Sequence, residues 1–195
     1  QAAATAQQND DDFSAFVKKA TTKPEFLSPL VDHLPKRAGV PTPKDVLGYH
    51  IGTEKKLTYV ADQQRYFRTL EKALPGRFKT EVVGQTEEGR DIMVVYVSSE
   101  ANIKNLEVNR QNTRKLADPR GLTDAQAQQL IATTKPHYHI SAGLHSTETN
   151  PPESVIELVP ESVARENKIL PMAEEDGVLT VIVSDPNDYN TMDKL

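Results

Sequence analysis

The segment RFKTEVVGQTEEGRDIMVVYVSS, residues 77–99, has the clearest structural signature in the chain. Its two halves, RFKTEVVGQ and RDIMVVYVSS, are rich in β-branched and aromatic residues and flank the turn TEEG. Such runs separated by a short, Gly-containing connection predict a β-hairpin, and a connection this short joins antiparallel strands. The sequence therefore predicts an antiparallel strand pair near the middle of the chain.

Helices are predicted on both sides of this hairpin. LTYVADQQRYFRTLEKAL before it has apolar residues at helical spacing, with Thr58 as the predicted cap. ANIKNLEVNRQNTRKLA and LTDAQAQQLIATT after it predict two polar helices, the second capped by Thr123. KPHYHISAGLH then predicts a strand, and Pro151-Pro152 the start of another helix. This order predicts the α/β class, with a partial mixed sheet flanked by helices.

The two ends of the chain differ from this central part. Residues 1–48 are divided by prolines and predict an irregular segment with one short helix over Phe13–Ala20. Asp10–Asp12 before it are expected to be solvated. Ala4-Thr5-Ala6 has the small-x-small form of a signal-peptidase site, so residues 1–6 are either a signal-peptide remnant or a disordered leader.

The tail predicts a small α-β-β-α unit. VPESVARENKIL predicts a helix, ILPMAEEDGVLTVIVSD a hairpin that turns at Asp176-Gly177, and PNDYNTMDKL the start of a second helix. The tetrapeptide Pro-Glu-Ser-Val occurs at residues 152–155 and again at residues 160–163. We interpret this echo as a possible junction between two unrelated pieces.

The composition excludes several classes of function. The 195 residues include no Cys, so disulfides and thiolate chemistry are excluded, and any metal must be bound by His, Asp or Glu. The net charge of -5 argues against a nucleic-acid surface. No apolar run approaches the ~18 residues that predict a membrane-spanning helix.

GLHSTE, residues 143–148, contains the candidate metal ligands His145 and Glu148. His and Glu three residues apart can reach one zinc ion where the chain turns sharply after a strand, and Gly143 permits such a turn. A turn histidine beside a solvated glutamate is the alternative. His137 and His139 could join His145 in a three-histidine site. We favour hydrogen-bonding roles for them, because an extended chain separates them from His145 by roughly 20 Å.

Several stretches together resemble the zinc carboxypeptidase family, the carboxypeptidase A-like metallopeptidases. They are YHIGTEKKLTYVADQQRYFRTL, VGQTEEGRDIMVVYVSS, ANIKNLEVNRQNTRKLADPRGL and KPHYHISAGLHSTETNPPE, within residues 45–153. The resemblance implies a mixed sheet between helices, a peptide or protein substrate, and a zinc ion that activates water. It makes His145 and Glu148 the first two zinc ligands.

This chain departs from the family pattern in ways that bear on activity. No histidine follows His145, so the family's third, downstream ligand is missing, as are its general base and carboxylate-binding cluster. Thr147 stands where the family often has Arg. We therefore expect an N-terminal fragment of a zinc hydrolase that is inactive as this chain. No catalytic or substrate-binding residue is assigned.

The tail, residues 159–195, resembles part of the N-terminal domain of type II secretion and type IV pilus-assembly ATPases. The cyclic di-GMP motif of some of these domains is absent, so no site is transferred to the tail. The first resemblance implies a periplasmic or extracellular protein and the second a cytoplasmic one. The predicted division is residues 1–48, 49–158 and 159–195. The alternatives are an interaction module of a secretion machine and a non-functional product of gene fusion or sequence assembly.

Overall fold

The structure, a computed structural model, describes residues 8–29, 31–143, 145, 147–149, 151–157, 169–175 and 178–183. Contacts group them into two compact units, one drawn from residues 1–57 and 154–195 and the other from residues 58–153. The described residues form helices and antiparallel strand pairs, which confirms the coarse α/β class. None of the described helices is long and apolar enough to cross a bilayer.

The N-terminal part of the first unit contains short elements around a small core. Strand β1 (Gln8–Asn9) pairs antiparallel with β2 (Pro35–Lys36), and the side chains of Phe13, Leu34 and Ile51 are buried. The helix predicted at Phe13–Ala20 is confirmed and begins two residues earlier. The elements are β1 (Gln8–Asn9), α1 (Asp11–Ala20), a 3-10 turn (Pro24–Phe26), β2 (Pro35–Lys36) and α2 (Pro43–Leu47).

The acidic run Asp10–Asp12 forms the N-cap and the start of α1, so its interpretation as solvated sequence is wrong for Asp10. This residue is 6% exposed, and its carboxylate accepts hydrogen bonds from the backbone N–H groups of Asp12 and Phe13. The first N–H groups of a helix have no partner within the helix, and an N-cap side chain satisfies them. The predicted leader, residues 1–6, lies outside the described residues.

The second unit is built on one helix packed against the predicted hairpin. Strands β3 (Phe78–Gln85) and β4 (Asp91–Val97) are antiparallel, with a register shift between Val82 and Gly84, so the hairpin is confirmed. Helix α3 (Val60–Ala73) buries Tyr66 and Leu70, while Phe78 is buried at the start of β3. The ring of Phe67 stacks on that of Phe78 with centroids 6.3 Å apart. These contacts form the core of the unit.

Polar helices follow the hairpin. The predicted helix over ANIKNLEVNRQNTRKLA is interrupted at Asn105, which separates α4 (Glu100–Lys104) from α5 (Leu106–Ala117). A 3-10 turn at Pro119–Gly121 precedes α6 (Asp124–Thr133). Thr123 caps α6 as predicted, in a reciprocal arrangement with Gln126. This capping box satisfies donors at the start of the helix.

The predicted strand over residues 135–145 and the mixed sheet are not observed. Residues 135–143 contain neither helix nor strand, and each sheet among the described residues is a single antiparallel pair. At the start of this segment, the backbone N–H and C=O of Lys135 both bond to the side chain of Asn109, so neither is available to a neighbouring strand. No carboxypeptidase fold is confirmed by the described residues.

The chain continues into a helix over residues 151–157, α7, as Pro151-Pro152 predicts. Strands β5 (Ile169–Glu175) and β6 (Val178–Val183) then form the hairpin predicted for the tail. Its turn at Asp176-Gly177 lies outside the described residues. Residues 159–168 of the helix predicted over VPESVARENKIL, and the whole of the helix predicted over PNDYNTMDKL (residues 186–195), also lie outside them.

Candidate functional site

His145 and Glu148 are brought together by a tight, exposed turn. His145 Nδ1 lies 2.7 Å from Glu148 Oε1, and the backbone N–H of His145 is 3.3 Å from Glu148 Oε2. The turn is closed by the N–H of Glu148, which donates to the C=O of His145 at 3.0 Å. Their side chains are 69% and 41% exposed, so the pair is open to solvent.

The shape of this turn depends on Gly143 and on the proline pair that follows. Gly143 has a φ of +74°, a backbone conformation that side chains with a Cβ rarely adopt. A Cβ at residue 143 would also lie 2.8 Å from Pro152 Cγ. Pro suits the first turn of a helix because its missing N–H needs no partner there. The chain thus turns sharply after Gly143 and then enters α7, with Pro152 packed against Gly143.

Glu153, in the first turn of α7, anchors this region to the start of α3. Its side chain is buried, at 8% exposure, and Oε1 accepts the backbone N–H of Thr58 at 2.9 Å. The predicted cap by Thr58 is wrong: Tyr59 is the N-cap residue of α3 and makes no side-chain cap bond. Sequence reasoning missed Glu153. The sequence feature that could have identified it is a carboxylate directly after Pro151-Pro152, because the first turn of a helix favours negative charge.

The other predicted histidines lie elsewhere. Asn109 Nδ2 is 2.8 Å from His137 Nε2 and also donates to the C=O of Lys135 at 2.9 Å. Because the Lys135 N–H donates to Asn109 Oδ1, the orientation of the amide is fixed and His137 Nε2 acts as the acceptor. In the described part of the chain no three His, Asp or Glu side chains converge as a metal site would require, so His137, His139 and His145 are not brought together.

A second polar cluster, in the N-terminal part of the first unit, was not predicted. Asp12 Oδ2 accepts from Lys44 Nζ and lies 2.9 Å from His50 Nε2. The hydrogen bond from Lys44, followed by that from His50, holds the pKa of the Asp12 carboxyl below its usual value. The His50 ring is 9% exposed and stacks on Phe16 with centroids 4.8 Å apart. This cluster ties α1 to α2 and to the chain that follows it.

Comparison with known proteins connects the C-terminal part of the chain with one domain family. Residues 138–195 match the family model of the MshEN domain, the N-terminal domain of type II secretion and pilus ATPases. The match includes His145, Glu148 and both Pro-Glu-Ser-Val copies, and it begins before the boundary predicted at residue 159. No curated protein and no solved structure matches the chain. The tail resemblance is thus supported, whereas nothing in these comparisons supports the carboxypeptidase resemblance.

Proposed function

We propose that residues 138–195 are an interaction module that docks a protein component of a secretion or pilus-assembly machine. The observation that carries this proposal is the match of this range to the MshEN domain family. The antiparallel pair of β5 and β6 inside the matched range is compatible with a small folded module. This function replaces peptide hydrolysis as the main one, because the comparisons favour the module.

The charge of this range indicates which kind of partner it would bind. Residues 138–195 contain eleven Asp and Glu but three Lys and Arg, whereas the rest of the chain contains seventeen acidic and twenty basic residues. Complementary charges on two partners raise their association rate, and salt screens the attraction between them. We therefore propose a partner with a basic docking surface. Domains of this family belong to cytosolic ATPases, so the proposed location of the module is the cytoplasm.

Binding of the full chain to purified membrane-platform components of such a machine tests the proposal. Biolayer interferometry should show saturable binding that weakens between low and physiological salt. Thr180→Pro should abolish it, because Pro removes a backbone N–H and fixes φ within β6. Thr180→Val, which keeps the N–H and a β-branched side chain, is the matched control and should bind normally. Equal binding by both variants, or no binding by the wild type, contradicts the proposal.

We propose weak zinc binding at His145 and Glu148 as a second candidate function. The supporting observation is the 2.7 Å approach of a nitrogen and an oxygen of the ligand types that zinc accepts. In a tetrahedral site with bonds of ~2.1 Å, two ligand atoms lie about 3.4 Å apart. The present distance is that of a hydrogen bond, so the pair would open slightly to admit a metal. With two protein ligands, the remaining coordination positions of the zinc would be filled by water or by a second molecule.

Isothermal titration with zinc tests this second candidate. We expect weak binding that His145→Ala abolishes and that His139→Ala, a matched loss of imidazole in the same segment, leaves intact. A chain with two ligands and no assigned general base is expected to show no hydrolysis of C-terminal residues from peptides. Zinc binding that survives both His145→Ala and Glu148→Ala would place the metal elsewhere and remove this candidate.

A further inference from the structure

Glu153 is a buried carboxylate with a specific backbone partner. Burial of a charged group costs free energy unless hydrogen bonds compensate for lost hydration. At Glu153 the compensation includes the N–H of Thr58, 2.9 Å from Oε1 and 95 residues away in sequence. A bond to an ionised acceptor is stronger than one between neutral groups. The contact therefore constrains two distant parts of the chain within the second unit.

Thr58 is the residue that leads into α3. Its C=O accepts from Gln63 Nε2 at 3.0 Å, so its N–H and its C=O are both held by side chains. Tyr59, the N-cap residue, supplies no side-chain bond to the first turn. The bond from the Thr58 N–H to Glu153 is therefore one of the contacts that fix how the chain enters α3.

On the other side, Glu153 is joined to the His145–Glu148 turn by a short, constrained segment. Pro152, its immediate neighbour, lies against Gly143, where a Cβ would approach within 2.8 Å. Gly143 begins the turn, and the bond from the Glu148 N–H to the His145 C=O closes it. Fixing Glu153 therefore also fixes Pro152, and with it the base of the turn.

We propose that Glu153 is a positioning residue that holds the His145–Glu148 turn in shape by bonding the chain at the start of α3. Glu153 would shape the turn whether or not the chain docks a partner. Because the turn lies inside the matched range 138–195, the shape would also matter for docking, and that part of the inference rests on the proposed function. A partner or metal that engages the turn would meet a pre-shaped surface rather than a freely moving loop, which lowers the entropic cost of binding.

NMR on the full chain tests this role without a partner or a metal. In Glu153→Ala, we expect exchange of the Thr58 amide to speed up by roughly ten- to hundredfold, as loss of one charge-assisted bond implies. The nuclear Overhauser contacts between Gly143 and the Pro152 ring should weaken in the same variant. Glu153→Gln keeps an oxygen that can accept from Thr58 and should retain both signals. Glu87→Ala, at an exposed glutamate in the β3–β4 turn, is the matched control and should change neither.

Exchange of the Val95 amide in β4 separates a local effect from general unfolding. It should stay unchanged in Glu153→Ala, and an equal rise there would show a global loss of stability and overturn the proposal. Retained Gly143–Pro152 contacts in Glu153→Ala, or failure of Glu153→Gln to restore them, would overturn it too. Since no partner is added, these outcomes are independent of the docking test.

Discussion

Gly143 packs so closely on Pro152 that a Cβ at residue 143 would lie 2.8 Å from Pro152 Cγ. The same glycine has a φ of +74°. Two separate constraints, backbone conformation and lack of space, therefore require glycine at the base of the His145–Glu148 turn. The turn carries both predicted ligands. Their relative geometry therefore depends on a glycine that has no functional side chain.

Gly143→Ala should destabilise the second unit more than the backbone conformation alone explains. We expect about 1–3 kcal/mol from strain at positive φ and a further ~1–3 kcal/mol from the contact on Pro152. Gly89→Ala is the matched control, since Gly89 has a φ of +73° but no atom within 4 Å of an added Cβ. Urea unfolding measures both variants. Equal destabilisation would mean that the contact with Pro152 contributes nothing.

Leu70→Ala should strongly destabilise the packing of α3 on the hairpin. Leu70 is fully buried, and truncation of such a side chain costs about 2–5 kcal/mol through lost burial and the cavity left behind. Val60→Ala, at a residue of the same helix that is 53% exposed, should cost far less. Urea midpoints of the two variants provide the comparison. A similar cost for both would argue that α3 does not form the core of this unit.

The hairpin of β3 and β4 could be predicted because its signal is local. Its β-branched runs and its Gly-containing turn lie within residues 77–99, and the strands pair with each other. The capping box of Thr123 and Gln126 is similarly local, with its partners three residues apart. Patterns confined to one element can be recognised without knowing what lies next to it.

Relationships between distant residues could not be predicted in this way. Asp12 belongs to a run that looks like solvated leader, yet its partners Lys44 and His50 lie 32 and 38 residues further along the chain. Glu153 pairs with a backbone group 95 residues away. Lys135 begins a segment predicted as a strand, yet both of its backbone groups bond to Asn109, a residue 26 positions earlier in the chain.

Asn109→Ala should release the segment that begins at Lys135. The Asn109 side chain bonds both backbone groups of Lys135 and also His137, so its removal leaves three contacts unmade. We expect exchange of the Lys135 amide to rise about tenfold, as loss of one hydrogen bond implies. Asn112→Ala, one turn further along α5, controls for the loss of an amide side chain. If both variants behave alike, Asn109 does not hold this segment.

The N-terminal part of the first unit should lose stability in acid through Asp12. Lys44 and then His50 lower the pKa of its carboxyl in the folded protein. The resulting stabilisation is therefore full above the ordinary pKa of about 4 and is lost as pH falls through the lowered value. Asp12→Asn should be less stable than wild type at pH 7, and the difference should shrink at about pH 3. Because Asp12 is 62% exposed, we expect a small effect, best followed in urea unfolding through NMR signals of the Phe16 ring.

Asp11→Asn, one residue earlier, controls for removing a carboxylate from the first turn of α1. A difference between wild type and Asp12→Asn that is the same at both pH values would show that ionisation of Asp12 does not stabilise this unit.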